Sequence, residues 1–329
     1  MFDPPARVTP ETDANDTLHA HPTRTAPLKL AASLEIAPGQ IERQPDVLKH
    51  IPPATRTYIV DLGTKTPQEW AAMCRLLVNQ GLEPVPHIGA RRLSGATELR
   101  DRLTAMSEES GVRDVLLIAG EGDATAPAFD SSMAVLETGL FDTCGIKRIA
   151  IAGHPEGNPA MSPATAQAAL TWKQQFATRT GADMRIVTQF GFQAEAAIGW
   201  AADLQAAGID LPVHLGIAGP ASITSLLKFA AMCGVKASSQ FLAKKGNAVT
   251  SLVTNHSPEQ YVKPVEEHVA AHPACLIKQF HVFPFGGIAR ASEWLCERGS
   301  WKNDARAVFE RNGAARDLGS TGIAPQKFG

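Results

Sequence analysis

The sequence predicts a single-domain (β/α)8 barrel, on three observations. Eight short apolar runs recur along the chain, helical patterns alternate with them, and the glycine fingerprint of the rival open sheet is missing. Strands are expected at 28–36 (LKLAASLEI), 57–62 (TYIVDL), 83–89 (EPVPHIG) and 114–120 (DVLLIAG). Four more follow at 148–153 (RIAIAG), 184–190 (MRIVTQF), 212–217 (PVHLGI) and 277–285 (IKQFHVFPF). Helices are expected between them at 67–80, 95–109, 130–142, 162–180, 193–208, 221–232 and 257–272, with a last one at 287–299. The link around Asp46–His50 is too short for a secure helix, and an additional helix is expected over 237–254. An open doubly wound sheet would place GxGxxG after the first strand, but the residues there run Glu35-Ile36-Ala37-Pro38-Gly39-Gln40.

The ends differ in texture. Residues 1–27 are rich in Pro, Thr and Asp without an apolar period and read as a flexible arm. The barrel is expected over 28–300, followed by a tail at 301–329 with a short helix around Asp304–Asn312.

Bulk composition excludes several function classes. With 44 % hydrophobic and 19 % charged residues the chain has material for a substantial core. A net charge of −2 provides no positive field for nucleic acid or an anionic membrane, and the basic residues come in pairs such as Arg91-Arg92 rather than tracts. Five cysteines, none in a CxxC spacing, point to reduced thiols and a cytoplasmic protein. No apolar run approaches the length of a membrane span.

In a parallel barrel, chemistry gathers where strands end and βα loops begin. Those ends carry Glu35, Asp61, His87, Glu121, His154, Glu156, Gln189 and His281. One such residue is as easily surface as site. Their recurrence at one end describes a mouth bearing carboxylates and imidazoles over an apolar floor. No HxH or HExxH pair gives a metal site its usual spacing, and none is assigned. His214, within a strand, reads as a hydrogen-bonded structural histidine. The glycines of 216–222, with Ser222 as a helix N-cap, and of 285–287 either offer amides to a phosphate or simply make tight turns.

Several segments in order resemble the methylenetetrahydrofolate reductases over about residues 28 to 291. They are Ser33-Leu34-Glu35, Pro86-His87, Ala152-Gly153-His154-Pro155-Glu156, Val187-Thr188-Gln189-Phe190, Gly216-Ile217 and Lys228-Phe229-Ala230. The resemblance implies a flavin-dependent barrel that reduces 5,10-methylenetetrahydrofolate to 5-methyltetrahydrofolate with NAD(P)H. Glu35 then matches the catalytic acid, which delivers a proton toward N10 so that the N5-iminium can accept hydride. Glu121 matches the pterin-binding aspartate, one methylene longer, and Gln189 the pterin-binding glutamine. Ile223 stands where the family has an aromatic against the folate.

The flavin side of the resemblance is eroded. Asp61, His87, Gly120, His154 and Asn158 occupy cofactor-binding positions, but Asp61 replaces a threonine, His154 a tyrosine and Asn158 a histidine. Ala119-Gly120-Glu121 stands for an Arg-Gly-Asp-like segment, so the cation that would meet the FAD phosphates is missing. Lys173 or Gln175 lies near the family's phosphate lysine, but the spacing to Gln189 is longer and neither maps cleanly. Lost cation and gained anion imply weak or absent FAD, with hydride passing directly between nicotinamide and folate. Two other readings stay open: a metal-dependent barrel lyase or hydrolase using His87, His154 and His281, and a folate-binding protein without catalysis.

Overall fold

Inward and outward faces alternate along each strand, and that alternation builds the molecule. The computed structural model describes residues 27–120, 127–232 and 255–302. The barrel strands are β1 (Ala32–Ile36), β2 (Arg56–Ile59), β3 (Glu83–Gly89), β4 (Asp114–Ile118), β5 (Arg148–Gly153), β6 (Asp183–Gly191), β7 (Val213–Ala218) and β8 (Ile277–Phe283). All pair in parallel with their sequence neighbours, and β8 closes on β1 through Ser33↔His281. The helices are α1 (Pro38–Arg43), α2 (Pro67–Asn79), α3 (Ala96–Ser110), α4 (Ser132–Leu136), α5 (Leu140–Thr143) and α6 (Pro163–Thr180). They continue with α7 (Ala194–Ala206), α8 (Ile223–Met232), α9 (Glu259–Ala271) and α10 (Ile288–Glu297). The expected (β/α)8 barrel is therefore the observed one.

Outward strand residues such as Leu34, Ile36, Ile88, Leu117, Ile151, Leu215 and Phe280 form the main core against the helices. Inward residues Tyr58, Val85, Leu116, Ala150 and Val187 make a smaller apolar plug inside the barrel. Above that plug the inward positions become polar, and there the site begins.

Local chemistry explains most boundaries. Thr66 caps α2 by accepting from the Glu69 amide (3.3 Å), Glu69 returns the bond to the Thr66 amide (2.7 Å), and Pro67 fills the first turn. The expected helix at 130–142 splits into α4 and α5 because Gly139 takes the left-handed conformation (φ 66°) between them. The first strand begins at Ala32, since the Leu30 amide is already held by the Glu266 carboxylate (2.9 Å). The second ends at Ile59, before a turn in which the Gly63 amide bonds to Asp61 (2.9 Å). The first link holds α1 and a 3-10 turn at Pro45–His50. The helices expected over 237–254 and around Asp304–Asn312 lie outside the described residues.

Candidate active site

Glu35, next to last on β1, points into the barrel mouth with its side chain 20 % exposed. One carboxylate oxygen, Oε2, stands 3.7 Å from His87 Nε2 on β3 and 3.7 Å from His281 Nε2 on β8. At that separation the groups interact electrostatically without a hydrogen bond, and both imidazole Nε2 atoms are buried without a hydrogen-bond partner. His281 has its other nitrogen fixed: Nδ1 lies 3.0 Å from Ser33 Oγ, whose hydroxyl donates to the Phe280 carbonyl (3.3 Å). Tyr58 forms the floor, meeting both histidine rings edge-on (centroids 6.1 and 4.4 Å). Its hydroxyl accepts from Arg185 (2.7 Å). Burial pushes the His87 pKa down to about 4, against an opposing pull from Glu35, so this imidazole is neutral near pH 7.

On the far side of the mouth, Gln189 lies where the β6–β7 register shifts between Val187 and Phe190. Such an irregularity re-aims a side chain. Its amide oxygen accepts from the Phe190 amide (3.1 Å) and its NH2 stays available beside a small cavity. His154, Pro155, Glu156, Phe190 and Tyr261 share that lining. Glu156 holds the strand-six loop by accepting from the Phe192 amide (2.9 Å). Ile223, the first residue of α8, is buried at 6 % exposure. Glu121 falls outside the described residues.

The cofactor-side residues separate into two groups. Asp61 is buried, and its carboxylate accepts from Arg102 (2.9 Å) and from the amides of Gly63 and Gly89 (2.9 and 3.4 Å). This corrects the expectation of a free negative charge at the mouth: a cation from α3 neutralises it. Gly120 is left-handed (φ 72°) and packs on Gly89, where a Cβ would stand 3.1 Å from the Gly89 Cα. Its carbonyl accepts from Arg91 (3.3 Å). His154 Nε2 contacts the Asn158 amide (3.2 Å), and burial with a nearby Lys173 lowers the His154 pKa. Lys173 is itself buried, its pKa pushed down to about 8 by desolvation, with no carboxylate beside it among the described residues.

These residues do not assemble a flavin cradle: Asp61 spends its oxygens on Arg102 and backbone, His87 turns to Glu35, and Ala119 supplies no charge. His154 and Asn158 stay in contact at the end of β5, with the buried Lys173 ammonium acting on His154.

Two glycine-rich segments are accounted for by close approach. A Cβ at Gly216 would lie 2.4 Å from the Thr188 carbonyl, and one at Gly286 2.0 Å from the Pro220 carbonyl. Ser222 does cap α8, accepting from the Ser225 amide (3.1 Å). His214 differs from its expectation. It faces the barrel interior near Arg185 and Arg56, its Nδ1 lacks a partner, and burial and those cations push its pKa down to about 2. Among the described residues no group of three or more His, Cys, Asp or Glu is placed to hold a metal, and no helix is long and apolar enough to cross a membrane.

The sequence assigns no role to Ser33, Tyr58 or Arg102, and places His281 at a strand end in the mouth with a metal ligand as its one alternative role. A usable signal existed in period-two alternation, which puts Ser33 on the face of Glu35.

Among solved structures, the chain is similar to an uncharacterised protein from Clostridium thermocellum described as binding two copies of 5-methyl-5,6,7,8-tetrahydrofolic acid. The TM-score is 0.56 at 12 % identity, covering 82 % of this chain and 94 % of that one. At this identity the likeness establishes the fold. A dihydropteroate synthase from Thermus thermophilus overlies at a TM-score of 0.40 and 14 % identity, covering 89 % and 94 % of the two chains. The profile of one family, methylenetetrahydrofolate reductase, matches residues 57–282, which spans β2 through nearly all of β8. The chain belongs to the methylenetetrahydrofolate reductase family.

Proposed function

We propose that this protein interconverts 5,10-methylenetetrahydrofolate and 5-methyltetrahydrofolate, exchanging hydride with NAD(P)H. The observation that carries the reading is Glu35, an acid open to the mouth and flanked by two unpartnered imidazole nitrogens. Family membership and the folate bound by the clostridial structure support the substrate class.

In the reducing direction, Glu35 gives its proton to folate N10, the bond from N10 to the one-carbon unit breaks, and N5 becomes the iminium. Hydride from the nicotinamide then reaches that carbon, NAD(P)H leaves oxidised, and the Glu35 carboxylate regains a proton from water at the mouth. Such acid catalysis contributes on the order of 10²–10⁴ in rate. Gln189 donates its free NH2 to the pterin, with Glu121 as the second polar contact and Ile223 as part of the apolar wall. Lys173, with His154 and Asn158, meets a phosphate of the nicotinamide cofactor.

Direct transfer requires nicotinamide and folate together in the mouth, with the reacting carbons about 3–3.5 Å apart. The test is NAD(P)H oxidation with methylenetetrahydrofolate, with and without added FAD, alongside an absorption spectrum of the purified protein. Turnover without flavin supports the reading. Tight stoichiometric flavin, or turnover only when FAD is added, refutes direct transfer; no turnover under either condition refutes the reductase assignment.

A further inference from the structure

We infer that a cavity at the N-terminal face of the barrel, opposite the mouth, is a second ligand site, which binds a small molecule through a phosphate or carboxylate group held by Arg56. The inference is independent of the chemistry assigned to the mouth.

The cavity measures about 350 Å³. That is room for a small molecule, since ligand sites span about 300–1,000 Å³. It lies where the strands begin: Arg56 opens β2, Glu83 opens β3, and Gln279 stands third on β8. Lys302 joins them from the chain beyond α10. Pro52, Pro53 and Trp301 supply an apolar wall, and the Trp301 indole N–H is already spent on the Ala32 carbonyl (2.8 Å).

Arg56 is surplus to what the fold needs here. Asp114, buried at the start of β4, is the carboxylate that the arginines of this face share. Arg148 donates to it (3.0 Å) and Arg185 pairs with it (2.9 Å). Two guanidiniums therefore neutralise Asp114 without Arg56, whose Nε stands 3.5 Å away, buried and without a hydrogen-bond partner. The partly exposed Glu83 carboxylate is farther still, at 3.8 Å. From Nη1 runs one long hydrogen bond, to the Gln279 amide oxygen (3.4 Å). With that oxygen accepting, the NH2 of Gln279 is the group left to donate to a ligand. A guanidinium carries five N–H donors in a fork that matches an oxyanion.

The charge around the cavity agrees. Arg56, Arg148, Arg185 and Lys302 stand against Asp114 and Glu83, an excess of two positive charges in this cluster. His214, deeper in the barrel, feels the same field: after burial itself, Arg185 and Arg56 hold its imidazole neutral. An anion entering here meets a guanidinium fork, an amide donor and an ammonium, donors that suit phosphate and carboxylate oxygens.

Calorimetric titration of inorganic phosphate and of malonate into wild type, Arg56→Gln, Ala31→Glu and Lys173→Gln tests the site. Wild type should bind at least one of the two anions, and the tighter of them identifies the ligand group. Arg56→Gln should weaken that binding about tenfold or more, while Lys173→Gln, in the mouth, should leave it within about twofold. Ala31 is exposed and lines the cavity, so a glutamate there adds a competing carboxylate to the wall and should weaken binding to the same degree. Should Arg56→Gln fail to fold, Ala31→Glu decides the matter alone. Binding of neither anion by wild type, or an affinity that neither cavity variant changes, overturns the site. A loss confined to Lys173→Gln overturns it too, by assigning the anion to the mouth.

Discussion

Arg102 Nη1 lies 2.9 Å from Asp61 Oδ2, and both side chains are almost wholly buried. The same guanidinium donates to the His87 carbonyl (2.6 Å) and sits over the Trp70 ring at 4.4 Å. One residue of α3 thus ties the chain after β2 to the end of β3, and fixes the backbone that carries His87 toward Glu35.

Removing that cation leaves a buried carboxylate uncompensated. Arg102→Met should cost about 3–5 kcal/mol of stability. Adding Asp61→Asn should recover part of the loss, because the charge then disappears with its partner. Denaturant unfolding of the single and double variants measures both.

Acid should destabilise the fold before ordinary carboxylates titrate. His87 and His214 have pKa values lowered to about 4 and about 2, while unfolded histidine titrates near 6.5. As pH falls below 6.5 the unfolded chain takes up protons that the folded state refuses. Stability present above that pH is therefore lost on acidification, down to about pH 4 for His87. Each residue contributes up to about 1.4 kcal/mol per pH unit in this window. Unfolding free energies at pH 6 and 5 should show this slope, and His214→Gln should reduce it.

Gly216→Ala should disturb both fold and folate site. The new methyl would press on the Thr188 carbonyl at 2.4 Å and on the Gln189 backbone at 2.6 Å. Overpacking of this kind costs about 1–3 kcal/mol, occasionally more. A lower melting temperature together with weaker 5-methyltetrahydrofolate binding is the expected result.

Lys173→Gln tests the phosphate subsite. Losing the buried ammonium beside His154 should raise the KM for NAD(P)H about tenfold, equivalent to about 1.4 kcal/mol, and leave folate binding unchanged. Steady-state kinetics with each substrate varied in turn measures the two effects separately.

Much of the barrel was legible because its strands are short apolar runs bounded by turn residues; β3 and β5 begin and end where the sequence places them. The helix broken at Gly139 was not, since a lone glycine inside a helical pattern is often tolerated. Within the site, strand-end position located Glu35, His87 and Gln189. The partner of Asp61 could not be found that way: Arg102 lies 41 residues later on a helix flank, and nothing local signals the pairing. Ser33 and His281, 248 residues apart, meet only because the barrel closes between its first and last strands. The aim of Gln189 depends on a register shift that leaves no mark in composition.

The most direct test of the central claim is a single-turnover measurement of NAD(P)H oxidation by methylenetetrahydrofolate in wild type and Glu35→Gln. The expected result is a rate lower by roughly 10²–10⁴ in the variant, with folate affinity preserved. Equal rates in the two proteins would contradict Glu35 as the proton donor, and with it the account of how this barrel mouth works.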